Sequence, residues 1–529
     1  MNDFRSTGLL TFLVLFLTSQ TGAQQFAVRE SEAILNGPKH EMLLCPDGDY
    51  LTITYHYTGD KDPLTVARFD PKSLSQRYTN SIQELSLLHY RAAMYSGGRL
   101  FVLCSTKEGA VSRYEINDKT GMLSGSPAAL FDLEGKEEDA SFFSGSSTDK
   151  NYHYLAVKLH RKKEKGETLQ GVILDKQMNK AATFSYTTPE DRDDFESVDF
   201  VQASNGTLSL VYSIGVKAKK DDYTPNLYTL VQVDTKGKTS AAPLSGLPAG
   251  DLRNLSWTAL NDRLLFTGFI SREKKVGFTA FVSGSYDPGQ KKVTDVRPTE
   301  IRTLLTQSPE IVKDIEKKGI PGDVSLLKTI PLSDGSKALV LEVNSDRLYQ
   351  SYYAPAAGPV MYTPGGQRMG MAPNTSSYSM TYHNRGNVYI LKLDKTNTPL
   401  WLNVISKKQQ EGDIVIAIGI TCIADNKDNI HVFFYDNKKN IDPASSSPAE
   451  VTGTDYKRNV FACVSVALDG KMSKQFIEEK DPEFRFMLEK SVTEINNQFF
   501  VMAIKTKKAF TEEHLFNHAS FRLSTVETK

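Results

Sequence analysis

Apolar and polar residues alternate along most of this chain in short runs separated by polar turns. Residues 386–405, GNVYILKLDKTNTPLWLNVI, show the unit at its clearest: an alternating run, a turn at Asp394, and a second alternating run. A period of two marks strands with one buried face, and two such runs joined by a tight polar link read as a hairpin. The pattern recurs. LTVARFD runs into Asp70, VSRYEIN into Asp118, GVIL into Asp175, YTLVQV into Asp234, FTAFVSGSY into Asp287, and FACVSVAL into Asp469. Asp suits each turn because its carboxylate accepts from nearby backbone amides.

A second hairpin lies upstream of each. Its turns are Asp47-Gly48-Asp49, Ser96-Gly97-Gly98, Asn205-Gly206, Asn261-Asp262, Ser333-Asp334-Gly335, Asp428-Asn429 and Asn496-Asn497. The strands after them (YLTITYHY, RLFVLCS, TLSLVYSI, RLLFTGFI, KALVLEV, IHVFFYD, QFFVMAI) are rich in β-branched and aromatic residues. Two hairpins per unit give four strands per unit. Such a repeat predicts an all-β chain forming a single β-propeller over 24–529. Eight blades are expected, with seven as the alternative and two stacked sandwiches as the competing architecture. The last unit lacks a fourth strand, and QQFAVRESEAIL near the start is an orphan strand. Pairing the two would close the ring and remove two sheet edges. No helical period of useful length is visible beyond the first residues.

The segment VYILKLDKTNTPLWLNVI, with its Lys-Leu-Asp turn and Trp401, resembles the hairpin repeat of exported bacterial β-propeller proteins of the "ILKLD…W" type. Asn397 stands where that repeat often has Gly, and the other hairpins lack the Trp. The resemblance implies a propeller and no particular activity, because the fold hosts enzymes, binding modules and scaffolds alike.

Composition narrows the picture. There are 63 basic and 63 acidic residues, which argues against nucleic acid as a partner. Arg5, the apolar run Leu9–Leu17 and the small residues before Gln24 read as a signal peptide over 1–23, cleaved near Ala23. The run is too short to span a bilayer. The mature chain is therefore expected to be secreted or periplasmic and without a transmembrane segment. Cys45, Cys104, Cys422 and Cys463 each sit in an apolar stretch. They read as buried thiols, with Cys422–Cys463 the pair to test for a disulfide.

Two places are candidates for function. If strands A to D of each blade run outward from the axis, the long connections fall on one face: 159–167, 216–225, 271–275, about 346–385 and 437–458. The basic residues in them are interleaved with acids, which reads as a solvated surface. The insertion 346–385 is poor in charge and rich in Tyr and Met. Tyr349, Tyr352, Tyr353, Tyr362, Arg368, Tyr378 and Tyr382 are its candidate binding residues, suited to a glycan or a cell-envelope protein. The other place is the channel. Counting back from the A–B turns puts His40, His89, Arg91, Asp199, Asn254 and Glu489 near its loop-rich mouth. Two His and a carboxylate can hold a transition metal, but no ligand spacing supports one, and no metal or cofactor is expected. G-x-S-x-G, H-E-x-x-H, Walker and dinucleotide motifs are absent. The sequence thus points to a binding or scaffold propeller acting through its long-loop face. The alternative is a polysaccharide hydrolase or lyase with its site at the channel mouth.

Overall fold

The computed structural model describes residues 26–528 apart from 36–38, 56–62, 71, 136–139, 161–164, 192–194, 216–226, 249–250, 261–262, 272–276, 289, 307–308, 353–360, 363–367, 370–376, 413–417, 446, 453–457, 478–484, 487, 489–491, 496–497 and 506–519. Antiparallel sheets follow one another along the chain. The first contains Lys39–Leu44, Tyr50–Tyr55, Leu64–Phe69 and Gln76–Ile82. The second contains His89–Ser96, Arg99–Ser105, Ala110–Asn117 and Ala128–Asp132, with Met122–Leu123 beside its third strand. The third spans Ala140–Ser146 to Lys180–Thr187, the fourth Phe195–Gln202 to Thr239–Pro243, and the fifth Asp251–Leu260 to Lys292–Glu300. The sixth pairs Val324–Pro331, Lys337–Tyr352, Ser377–Leu393 and Pro399–Ile405 in that order. The seventh runs from Thr421–Ala424 to Met472–Ile477. In the eighth, Val492–Ile495, Gln498–Lys505 and Ser520–Thr528 are joined by Phe26–Leu35, whose Phe26 lies opposite Thr528.

Strand order in the first seven sheets follows chain order, as hairpin-to-hairpin repetition requires, and the eighth departs from it only in taking Phe26–Leu35 beside its last strand. The Asp turns work as their chemistry suggests. Asp394 accepts from the amides of Thr396 and Thr398, each at 2.8 Å. Asp175 accepts from Gln177 and Asn179, and Asp234 from Lys236 and Lys238. Asn397 has φ +64°, so it takes the left-handed position that Gly fills more easily. These amide contacts hold the Asp394 carboxyl below its ordinary range against partial burial.

Apolar clusters bridge neighbouring sheets rather than filling one centre. Leu100 and Val102 of the second sheet pack with Leu51 and Ile53 of the first. Phe101 and Leu103 pack with Leu155 and Val157 of the third. Ala156 and Ile173 meet Leu210 and Tyr212, and Val211 and Leu230 meet Phe266 and Trp257. Alternate residues of one strand therefore serve two interfaces, so the second, third and fourth sheets are packed on both faces. The first strands of neighbouring sheets touch: third with fourth, fourth with fifth, fifth with sixth. No sheet among the described residues closes on itself. The architecture is all-β and propeller-like.

Two sequence expectations need correction. The insertion 346–385 is not simply a loop, because the second and third strands of the sixth sheet run on as a β-ribbon. Asn344 to Tyr352 pair with Arg385 to Ser377. Gln409–Gly412 pairs along the ribbon's root, and Val451 adds a parallel rung. The chain also contains a helix, α1 (Pro309–Lys318), between the fifth and sixth sheets. Its short pattern buries only Ile311 and Ile315, one turn apart, too few apolar positions to register as a period. Its end signals were present: Pro309 at the first position, Lys317 and Lys318 in the last turn, and Gly319 beyond at φ +69°. The Gly319 amide donates to the Ile315 carbonyl at 2.7 Å.

All four cysteines are buried free thiols. The Cys422–Cys463 pairing is not formed. Burial raises both thiols, Cys422 to about 11.

Candidate functional site at the channel mouth

The first strand of several sheets is irregular where it approaches the long-loop side. Register shifts fall between Tyr90 and Ala92, Phe195 and Ser197, Arg253 and Ser256, and Leu326 and Lys328. A bulge adds a residue on one strand only, kinks it, and redirects the side chains beside it. Arg91, Glu196 and Leu327 are themselves the extra residues, and Asn254 lies within the shift of the fifth sheet. Two positions chosen from spacing alone, Arg91 and Asn254, are thus backbone irregularities. Simple alternation does not describe where Arg91 goes relative to His89.

His89 and Arg91 are nevertheless brought together. Arg91 Nη2 lies 3.4 Å from His89 Nδ1, and its Nε donates to Ser105 Oγ at 2.9 Å. The guanidinium stacks 4.0 Å over the Phe142 ring of the third sheet. Desolvation, then the charges of Arg91 and Lys107, lower the His89 pKa. Both effects favour the neutral imidazole, and it is Arg91 that reaches from the second sheet to the third.

Asp199 is placed elsewhere. It lines a cavity of about 520 Å³ with Glu196, Ser197, Ser256, Trp257 and Ser325. These residues come from the first strands of the fourth, fifth and sixth sheets. Asp199 is exposed along this cavity, and desolvation by the protein packed around it pushes its carboxyl pKa up to about 6. Trp257 is 6% exposed, packs tilted against Phe266 at 5.1 Å, and has no acceptor for its indole N–H among the described residues. Neither His89 nor Arg91 lines this cavity. His40 stands opposite Thr54 in the first sheet. The side chains of His40 and Asn254, and all of Glu489, lie outside the described residues, as does Tyr353. The proposed convergence of Glu489, His40 and His89 therefore has no geometry here. No group of three or more His, Cys, Asp or Glu able to hold a metal occurs among the described residues.

The ribbon carries the other candidates. Register places Tyr349 opposite Met380, Tyr352 opposite Ser377, Tyr378 opposite Ser351, and Tyr382 opposite Arg347. Of these four tyrosines the side chain of Tyr382 alone is among the described residues. Tyr362 and Arg368 face each other in a two-rung pairing near the ribbon's end. At the root, Asp346 Oδ1 lies 3.0 Å from His383 Nδ1 and 3.1 Å from Arg385 Nη1.

Sequence reasoning missed a buried polar seam that joins three sheets. Lys407 and Glu342 form an ion pair with side chains 0% and 1% exposed. Lys407 also donates to Gln409 Oε1 at 2.8 Å, and Gln409 donates to the Tyr435 carbonyl at 2.7 Å. The Tyr435 hydroxyl accepts from the Phe486 amide at 3.0 Å. The cue was SKKQQEG, a charged run following an apolar strand, which reads as surface until partners from other strands are known.

Sheet organisation and cavity together define a propeller-like all-β protein. No protein-family model and no curated protein sequence matches the chain. Among solved structures it is similar to the WD40 domain of SCAP from fission yeast, at 7% identity and TM-score 0.41, covering 95% of this chain and 98% of that one. It is similar to the polysaccharide lyase Uly1 at 9% identity and TM-score 0.37, covering 85% and 92%. It is also similar to a Synechocystis apocarotenoid oxygenase at 11% identity and TM-score 0.30, covering 96% and 90%. No helix of the described residues is long and apolar enough to cross a membrane.

Proposed function

We propose that this chain is an exported eight-bladed propeller that binds a glycan or a cell-envelope protein through its long-loop face. The paired ribbon of the sixth sheet carries this reading. Nine rungs beyond the register shift, from Asn344 to Tyr352, continue the sheet into a projecting arm. Its root is braced by Gln409–Gly412 and by the Asp346, His383 and Arg385 contacts. A ribbon rich in tyrosine offers contact area at little cost in side-chain entropy. Eight blades closed by the N-terminal strand are supported by the pairing of Phe26–Leu35 with Ser520–Thr528. Contact between the first strands of the first and eighth sheets supports the same closure.

The test replaces 350–379 by a two-residue turn, joining strands that are already paired at Tyr349 and Met380. The wild-type chain should be retained on insoluble envelope polysaccharide or envelope protein. The shortened chain should not be retained, while its melting temperature stays within a few degrees. Equal retention of both chains refutes the arm as the binding element.

A polysaccharide hydrolase or lyase is the second reading. It is favoured by Asp199, a carboxyl pushed towards neutral pH inside a cavity, as a general acid requires. Asp199→Asn should then abolish turnover of any polysaccharide the chain degrades, and unchanged turnover removes this reading.

A further inference from the structure

We infer that Ser146 is an activated nucleophile, with His153 as its general base, and that it cleaves activated carboxylic esters. Neither residue belongs to the arm or lines the cavity of Asp199, so the inference stands or falls apart from both readings above.

Ser146 closes the first strand of the third sheet, and His153 stands directly opposite it near the start of the second. Opposed side chains of an antiparallel pair lie close enough to touch. The hairpin between them is fixed. The Ser147 amide donates to the Tyr152 carbonyl at 2.8 Å, and the Lys150 amide to the Ser147 carbonyl at 2.9 Å. Ser146 Oγ lies 2.7 Å from His153 Nδ1. The serine is exposed, whereas His153 is buried.

The neighbours of the ring decide which nitrogen carries the proton. Ser96 Oγ of the second sheet lies 2.8 Å from His153 Nε2 and donates to the Lys176 carbonyl at 2.7 Å. A hydroxyl has one proton to give, and a carbonyl only accepts. With its proton committed to Lys176, Ser96 must accept from Nε2–H. Nδ1 of the neutral ring then bears the lone pair, and the Ser146 hydroxyl donates to it. Desolvation, then Lys150, lower the His153 pKa, and Asp175 opposes them. The ring is therefore in its base form at neutral pH.

His431 of the seventh sheet is bonded in a related way, with Nδ1 2.8 Å from Ser465 Oγ and Nε2 3.2 Å from Asp425 Oδ2. Ser465 is the less accessible serine of the two, and Asp425 also holds its own turn by accepting from the amides of Lys427 and Asn429. Ser146 combines an accessible hydroxyl with a base whose tautomer is preset.

In the reaction, Ser146 Oγ bonds to the ester carbonyl carbon as its proton passes to Nδ1. The bond to the alcohol oxygen breaks, and the alcohol leaves with that proton. Water then attacks the acyl-serine and gives a proton to Nδ1. The acid departs as Ser146 recovers its hydrogen, so the sum is ester plus water to acid plus alcohol. Nε2 is held by a hydroxyl rather than a carboxylate, which leaves the transient imidazolium weakly supported. Esters with acidic leaving groups, such as aryl esters, are the class this base can serve.

The test treats the full chain with a fluorophosphonate probe, which phosphonylates activated serines with loss of fluoride, and assays it on p-nitrophenyl acetate. Peptide mass spectrometry should place the label on Ser146. Ser146→Ala should abolish both signals at an unchanged melting temperature. Ser144→Ala, also exposed on the same strand, should change neither. His153→Asn should slow labelling at least about a hundredfold, the low end of what a general base contributes. Ser96 positions the ring, so Ser96→Ala should slow labelling and Ser96→Thr, which keeps the hydroxyl, should restore it. No label on the folded wild-type chain, a label on Ser465 or another residue in place of Ser146, or labelling that survives Ser146→Ala overturns the proposal.

Discussion

Lys407→Met is the sharpest test of how the sheets are held together. The substitution removes the ammonium from a pair whose partners are 0% and 1% exposed, leaving Glu342 buried without its counter-charge. It also withdraws the donor from Gln409 Oε1, which keeps the Gly419 amide at 2.9 Å. Breaking a buried pair from one side costs about 3–5 kcal/mol, because the surviving charge keeps its desolvation penalty. For a chain of 529 residues, unfolding entropy near about 1.1 kcal/mol/K converts that loss into a fall of about 3–5 °C in melting temperature. Differential scanning calorimetry at neutral pH reads it directly. The double variant Glu342→Gln with Lys407→Met removes both charges and should recover at least half of the loss. A single variant within 1 °C or so of wild type refutes the argument, and so does a double variant no better than the single.

Asp199→Asn should show a pH-dependent gain in stability. The folded pKa is raised from 3.8 to about 6, so the folded chain holds more protons than the unfolded one between those values. Stability then falls as pH rises through that window, and Asn does not titrate. The variant should match wild type below pH 4 and exceed it above pH 6 in thermal melts, whereas parallel curves would contradict the raised pKa of this carboxyl. Gly319→Ala should be destabilising by about 2 kcal/mol or more. The residue sits at φ +69°, and a Cβ there would lie 2.6 Å from the Gly277 carbonyl carbon. A melting temperature equal to wild type in the same calorimetric assay would remove this close approach from the account of α1. The four thiols should stay unreactive to Ellman's reagent until the chain unfolds, and reductant should leave the melting temperature unchanged. Reaction of Cys104 in the folded state would contradict its burial, which pushes its pKa up to about 12.

The repeating hairpins were legible because their signals are local. An alternating run ending at Asp175 or Asp394 needs only its own turn to be recognised, and those aspartates do cap the turns. The ribbon was half legible. The Tyr-rich composition of 346–385 marked it as unusual, yet DRLYQSY and SYSMTYHNR alternate poorly, and their pairing with each other is what makes them strands. The site was the least legible part. Counting back from a turn assumes an unbroken ladder, and the shifts at Arg91, Glu196, Asn254 and Leu327 break it within the first strands of their sheets. Asp199 was found because it lies after the bulge of its strand, where counting from Gly206 still holds. Trp257 carried a signal, one of only two Trp in the chain, but its unmet donor appears only once its neighbours are placed.

The pairing of Phe26 with Thr528 sets residues about five hundred positions apart side by side. That sheet has no sequence-local route to this edge, and such distant pairings form slowly. The other sheets are built from consecutive hairpins, so they are expected to ripen first and the Phe26–Leu35 edge last. Cutting the chain between two middle sheets would spare that late pairing, whereas removing Phe26–Leu35 would leave Ser520–Thr528 with an open edge.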